Sequence, residues 1–396
     1  MTNLTPKETI IGYCTNVHAG VDLESIRQNL LQFAVPARRE LGRDELGVGL
    51  WLPAQAARQL AAGEAAAFGE FLSENQLRAY TINGFPYDNF HQPIVKRRVY
   101  EPTWWQDERL QYTKQLADVL TVLLPASDTI GSISTLPIGW PSDSGSDAER
   151  EHQLDQAGAN FRELAAHLRQ LESDSGKRIV VAIEPEPGCI LDTTDDMIDW
   201  FDKHLPDEAH RRFITVCHDV CHSAVMMEPQ SEVVGRLAAA GIAIGKVQVS
   251  SAISVDWEAM AVGRRREAID QLSQFAEDRY LHQTGRRTEN DQFELAEDLP
   301  GLLALVAEQS DPVWGDKKWV VHFHVPIFLE RFGHLGTSQS DVVDLLSALR
   351  SSPVEFSGHL EVETYAWTVL PPAMRKRGLS EDIASEIKWL KNALLS

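Results

Sequence analysis

Short apolar runs, many of them β-branched, recur along this chain, and stretches with helical spacing separate most of them. That alternation constrains the fold more than any other feature. The runs are Ile10–Cys14, Leu46–Leu52, Ala79–Gly84, Thr129–Leu136, Ile179–Glu184, Phe213–His218, Ile242–Val249, Trp319–Val325 and Leu360–Glu363. Several are continuous rather than alternating, as expected of strands buried on both faces of a parallel sheet. Between them, Leu23–Arg39, Ala54–Phe71, Trp105–Leu123, Asp147–Leu171, Thr194–His204 and Glu232–Ala240 space apolar residues three and four apart, the mark of an amphipathic helix. Asp22 and Thr193 stand where N-caps belong.

Alternation sustained this long reads as an α/β fold with a parallel sheet, and the number of repeats favours a closed (β/α)8 TIM barrel over an open sheet. One run exceeds the eight such a barrel needs, and Trp319–Val325 is the one expected outside it. The 396 residues exceed the roughly 250 of a plain barrel. A single domain over residues 1–396 is expected, with the excess in a charged, partly helical insertion at 256–318 that covers one barrel end. A turn-rich loop at Pro137–Gly145 and an amphipathic helix at 380–395 complete the reading.

Acidic residues number 58 against 37 basic ones, a formal charge of −21. Nucleic acid is bound mainly by Lys and Arg that displace counterions, so a nucleic-acid partner is not expected, whereas a cation is. No apolar run approaches the roughly 18 residues of a membrane span, and the polar start of the chain lacks a secretory signal. Cys14, Cys189, Cys217 and Cys221 form no CxxC pair and read as reduced thiols of a cytoplasmic protein. A homodimer is the assembly considered.

In such barrels the active site lies at the C-terminal ends of the strands, so the residues ending each run are the candidates. Glu184 directly follows VVAI, and an ionised carboxylate facing an apolar interior needs a cation or a charge partner. Asp219 and His222 are three apart, able to serve one site if the chain turns helical there; they are typical donors for Zn or Mn. For His222 alone, a core imidazole satisfied by backbone is the simpler reading. Gln248 is a weak neutral ligand or a substrate contact. Lys246, on the same strand face, offsets substrate charge or pairs with a neighbouring carboxylate. His322 and His324, two apart on an expected strand, point the same way and can meet one ion. Glu361 and Glu363 also share a face, where two like charges raise a pKa unless a cation separates them.

Together these segments resemble the xylose-isomerase-like barrel superfamily, which includes apurinic endonucleases and sugar epimerases. The resemblance implies metal ligands at Glu184, at Asp219 and His222 within VCHDVCHSA, at His322 and His324 where the endonucleases have Asp-x-His, and at Glu363 in LEVETY. Gln248 stands where many members have His, and the earlier strand ends TINGFPY and STLPIGW lack the endonuclease histidines. More closely, GYCTNVH, TINGFPYDNFH, SISTLPIGW, AIEPEPGC, HDVCHSAV and HLEVETYAW are similar to the EboE group, named for metabolite traffic in bacterial ebo clusters. The implied protein is a metal-dependent isomerase or epimerase of a small sugar, polyol or cyclitol. Its cofactor is a divalent ion, Zn or Mn, with Mg or Co as alternatives. Glu184, Glu363 and Lys246 are its catalytic candidates; Asn83, His91, Trp140, Gln248 and Glu361 are its substrate contacts. Phosphoester hydrolysis and non-catalytic metabolite binding are the rival readings.

Overall fold

The computed structural model describes residues 9–141, 145–307, 309, 313, 315–374 and 377–395. Eight parallel strands close into a barrel: β1 (Ile10–Cys14), β2 (Leu46–Trp51), β3 (Leu77–Asn83), β4 (Ile130–Thr135), β5 (Arg178–Ile183), β6 (Ile214–Asp219), β7 (Ile244–Val249) and β8 (His359–Val362). Each pairs with its neighbours in chain order, and β8 closes on β1. Nearly every strand residue is buried, which is why the runs are continuous rather than alternating. Helices such as Asp107–Leu123 and Asp147–Ser175 follow the strands and cover the outside. Asp22 and Thr193 do cap their helices: Ser25 N donates to Asp22 Oδ1 at 2.8 Å, and Asp196 N to Thr193 Oγ1 at 3.2 Å. The C-terminal helix is Leu379–Leu395 and packs against Val35–Glu40. No helix among the described residues is long and apolar enough to cross a membrane.

Between β7 and β8 the chain builds a second, six-stranded antiparallel sheet. Its order is Phe293–Ala296, Thr284–Arg287, Lys318–Val321, Ile253–Asp256, Leu335–Thr337, Arg331–Phe332. The run expected outside the barrel is the third of these strands, and it stops at Val321, so His322 and His324 follow the strand rather than lie on it. The partly helical expectation for this stretch is met by Val262–Leu272 and Leu299–Ala307. Its strands were not expected, because TGRR and FELA are only four residues long and carry no apolar alternation. Of the loop Pro137–Gly145, residues 142–144 lie outside the described residues.

Register stacks polar side chains inside the barrel. Asp219, Gln248, Glu361 and Gly12 are successive partners across β6, β7, β8 and β1. Lys246 and Glu361 are both fully buried and paired at 2.6 Å. Their fit depends on Gly49 of β2: a Cβ there would lie 1.2 Å from Glu361 Oε1.

Two buried histidines, one just beyond β1 and one at the start of β8, carry a testable signature. His18 meets the Tyr13 hydroxyl at 3.0 Å, and His359 meets the Ser132 hydroxyl at 2.8 Å. Burial drives both imidazoles down to about 3. The unfolded chain takes up these protons near pH ~6.5 while the folded chain refuses them, so below that pH the unfolded state binds more protons and stability falls with acid. Each histidine is expected to contribute about 1.4 kcal/mol of loss per pH unit in that window. Urea midpoints compared between pH ~7 and ~5 should show a shallower decline in His359→Gln than in the parent. An identical decline in the two proteins would mean that His359 does not stay neutral in the fold.

Candidate metal centre

At the C-terminal mouth of the barrel, five elements bring acids and imidazoles into one buried cluster. Glu184 follows β5, its amide still paired to Thr135 O at 2.9 Å. Asp219 ends β6 and caps the short helix Val220–Val225, accepting from His222 N at 2.9 Å. That turn places His222 over the mouth. Glu363 follows β8, and His322 and His324 arrive from the second sheet. Glu184, Asp219 and Glu363 offer ligand atoms within 4.8 Å of one another; so do Asp219, His222 and His324, and also Glu186, His222 and His322. His324 Nε2 lies 3.8 Å from Asp219 Oδ2, and His324 Nδ1 3.9 Å from Glu363 Oε2. The Nε2–Oδ2 separation suits donors that share an ion about 2 Å from each.

The three imidazoles are oriented alike. The Nδ1 of His222 meets Pro185 O at 2.8 Å, that of His322 meets Gln283 Oε1 at 2.8 Å, and that of His324 meets Glu363 O at 2.8 Å. A carbonyl oxygen can only accept, so each Nδ1 carries the proton and each Nε2 presents a lone pair. This is how metal-ligating histidines are normally held. Burial and neighbouring imidazoles push His322 well below its usual range, and burial takes His324 down to about 4, so both are neutral donors at pH ~7.

The carboxylates show the opposite strain. Burial, then the proximity of Glu363 and Asp219, holds the Glu184 carboxyl well above the ordinary range; burial, then Asp219 and Glu361, does the same to Glu363. Burial also pushes Asp219 up, but His222, His324, the His222 amide and the Ser250 hydroxyl outweigh it and hold that carboxyl low. Buried atoms without hydrogen-bond partners include Glu184 Oε2, Asp219 Oδ2, His322 Nε2, His324 Nε2 and both amide atoms of Gln248. Orphaned acceptors crowded into one buried volume fit a divalent cation, which offsets their repulsion and desolvation.

A cavity of about 540 Å³, counting its part open to solvent, rises from this floor. Glu184, His222, His322, His324, Glu363 and Asn83 line it. Asn83 is fully engaged: Nδ2 donates to Glu363 Oε1 at 2.9 Å, and Oδ1 accepts from Phe85 N at 3.1 Å. It therefore orients Glu363 rather than presenting free groups to a substrate. Lys246 and Glu361 do not line the cavity; one layer beneath it they satisfy each other, the second of the two roles weighed for Lys246. Gln248 sits beside Asp219 in the sheet, also below the cavity. His91 is turned away, its Nε2 against Asn16 O at 2.7 Å. Trp140 stands outside, packed on Tyr100 with ring centroids 5.1 Å apart and covered by Arg97.

Four contributors were not singled out from sequence. Glu186 accepts from Tyr100 OH at 2.8 Å and approaches His322 Nδ1 to 3.8 Å; its signal was the second carboxylate of Glu184-Pro185-Glu186. Asn16 donates to Glu363 Oε1 at 2.7 Å and keeps a buried Oδ1 without a partner. Gln283 and Tyr280 come from the second sheet and its approach, and nothing in their local sequence marks them. Cys221 also lies within reach of His322 and His324, but burial pushes its thiol well above the ordinary range, which leaves it a protonated and poor ligand.

No protein-family model matches the sequence, and no curated protein matches it. Solved structures do match. A xylose isomerase-like TIM-barrel protein from Mycobacterium smegmatis, in complex with magnesium, has a TM-score of 0.51 and 13% identity, over 100% of this chain and 98% of its own. The IolI protein with a bound zinc atom scores 0.48 at 10% identity, over 97% of this chain and 98% of its own. A D-allulose 3-epimerase from Methylomonas sp. with D-allulose scores 0.40 at 16% identity, over 62% of this chain and 73% of its own. The first of these, taken with the closed eight-stranded topology, establishes the architecture: the chain folds as a (β/α)8 barrel.

Proposed function

We propose that the protein is a metal-dependent isomerase or epimerase of a small polyhydroxylated compound. The observation that carries the reading is the pair Glu184 and Glu363. They approach the cavity floor from β5 and β8, and both carboxyls are held toward their protonated forms. Glu184, Asp219, Glu363 and His324 are the residues that would hold a divalent cation, with Gln248 beneath. Bound there, the ion supplies Lewis acidity to substrate oxygens.

The chain's own residues perform the proton transfers. A carboxylate within reach of the substrate carbon can accept a proton and a carboxylic acid opposite it can return one, so Glu184 removes a proton from a carbon next to a carbonyl and Glu363 returns one. Asn16 and Asn83 together grip Glu363 Oε1, which fixes the carboxylate and leaves Oε2 for the reaction. Asn16 Oδ1 accepts a substrate hydroxyl. The motifs shared with the EboE group support a substrate from a secondary-metabolite pathway, and four free, buried cysteines support a reducing, cytoplasmic setting.

Protein loaded with Mn or Zn and incubated in D2O with ketoses, aldoses and ketocyclitols should incorporate deuterium at one C–H beside the carbonyl, with an isomer appearing in the NMR spectrum. Glu184→Gln should slow that exchange about 10²–10⁴-fold. Phosphoester hydrolysis is the second reading, favoured by the three Nε2 lone pairs, since nitrogen-rich sites suit zinc. Phosphate release without any carbon-bound exchange would replace the first reading with the second.

A further inference from the structure

The cavity has two chemically distinct halves. Of the groups described above as ligands or proton carriers, Glu184, His222, His322, His324 and Glu363 line its floor. Above them the lining turns apolar: Phe85, Phe90, Val99, Tyr280, Leu281 and Tyr365. Three of these rings form a continuous wall. Phe90 and Tyr280 stand 4.8 Å apart, Phe90 and Tyr365 5.3 Å, and Tyr280 and Tyr365 5.0 Å. Tyr365 in turn lies 4.7 Å from the His324 ring, so the wall begins at the edge of the metal ligands.

Two of the hydroxyls near this wall are already committed. Tyr280 OH donates to Phe90 O at 3.2 Å, and Tyr100 OH donates to Glu186. Lys96 is the one charged group among the described lining residues above the floor, and Asp298 meets its ammonium at 2.5 Å. A hydroxylated chain rising through the cavity would leave hydroxyls buried without partners, which costs free energy at each one. An apolar group there gains from burial instead.

We infer that the substrate is amphipathic, a hydroxylated head at the cation site bearing an aryl or alkyl substituent that lies against Phe90, Tyr280 and Tyr365. This rests on the functional reading above, narrowing its substrate from a free sugar or polyol to one carrying an apolar group.

Two hydroxamates test the inference without knowledge of the substrate. Acetohydroxamate and benzohydroxamate share a head that chelates a divalent ion through adjacent oxygens, and they differ in the apolar tail. Calorimetric titration of zinc-loaded protein should show benzohydroxamate binding at least about tenfold tighter. Val99→Trp fills the upper cavity from a half-buried position and touches no proposed ligand. It should abolish that preference while leaving acetohydroxamate affinity unchanged. Equal affinities in the parent protein, or a preference that survives Val99→Trp, would overturn the inference. Metal content measured on the same samples separates the failures. Absence of bound cation sinks the functional reading and this inference with it; bound cation with equal affinities sinks this inference alone.

Discussion

Lys246→Met is expected to destabilise the fold by about 3–5 kcal/mol, the usual cost of leaving one partner of a buried ion pair unpaired. Lys246 and Glu361 are both fully excluded from solvent, 2.6 Å apart, and a further contact of the ammonium is long: Lys246 Nζ donates to Ser134 Oγ at 3.3 Å. Methionine keeps the length and packing of the lysine stem but leaves the Glu361 carboxylate without a counter-charge. The double variant Lys246→Met/Glu361→Gln should recover most of the loss, because removing both charges also removes both desolvation costs. Urea midpoints of the three proteins decide the matter, and a single variant within about 1 kcal/mol of the parent would refute the charged pair. The effect extends to the site above. The Lys246 charge holds down both Glu184 and Glu363, so its loss should also weaken metal uptake at neutral pH by keeping those carboxyls protonated.

The same pair shows how far the primary structure could be read. The two-residue period of a strand correctly put Lys246 with Gln248, and Glu361 with Glu363, on inward faces. It could not say which layer meets solvent. Two residues along a strand is about 6.6 Å, enough to separate Glu363 on the cavity floor from Glu361 beneath it. The eight barrel strands were legible because burial on both faces leaves unbroken apolar runs. The second sheet was not, because its four-residue strands owe their pairing to neighbours far away in the chain rather than to any local pattern. His322 and His324 were singled out as a pair sharing one direction, and their rings do stand 5.3 Å apart over a common site. The reason differs from the one expected, since they lie beyond the strand and are held by carbonyls of Gln283 and Glu363. The resemblance placed Gln248 where relatives have His. Only the fold shows that His324, from the second sheet, brings an imidazole beside Asp219 and Glu363 instead. Asn16 and Tyr280 carried no signal at all, because an asparagine near a strand end and a tyrosine in a loop are ordinary residues until tertiary contacts are known.

Asp219→Asn should strip the protein of its metal while leaving the metal-free fold as stable as before. Asp219 is the residue common to the carboxylate group with Glu184 and Glu363 and to the imidazole group with His222 and His324, so an ion held by either group uses it, whereas the group of Glu186, His222 and His322 does not. Its two oxygens do separate work. Oδ1 accepts from His222 N at 2.9 Å and from Ser250 Oγ at 2.7 Å, holding the helix start in place, while Oδ2 has no protein partner. Asparagine retains the first function through its carbonyl oxygen and replaces the second with an NH2, a donor aimed at the position where the other ligands converge. Occupancy measured by plasma emission after dialysis should fall well beyond the 10–100-fold typical of losing a supporting residue. The thermal midpoint of the metal-free protein should hold, because the asparagine carbonyl oxygen keeps both hydrogen bonds of Oδ1. Asp219→Ala should lose the metal equally but also about 1 kcal/mol of helix capping, so the two variants separate ligation from folding. Full occupancy in Asp219→Asn would mean that the cluster holds no ion through this residue. The raised pKa values of Glu184 and Glu363 would then mark a pair of shared protons rather than an apo metal site.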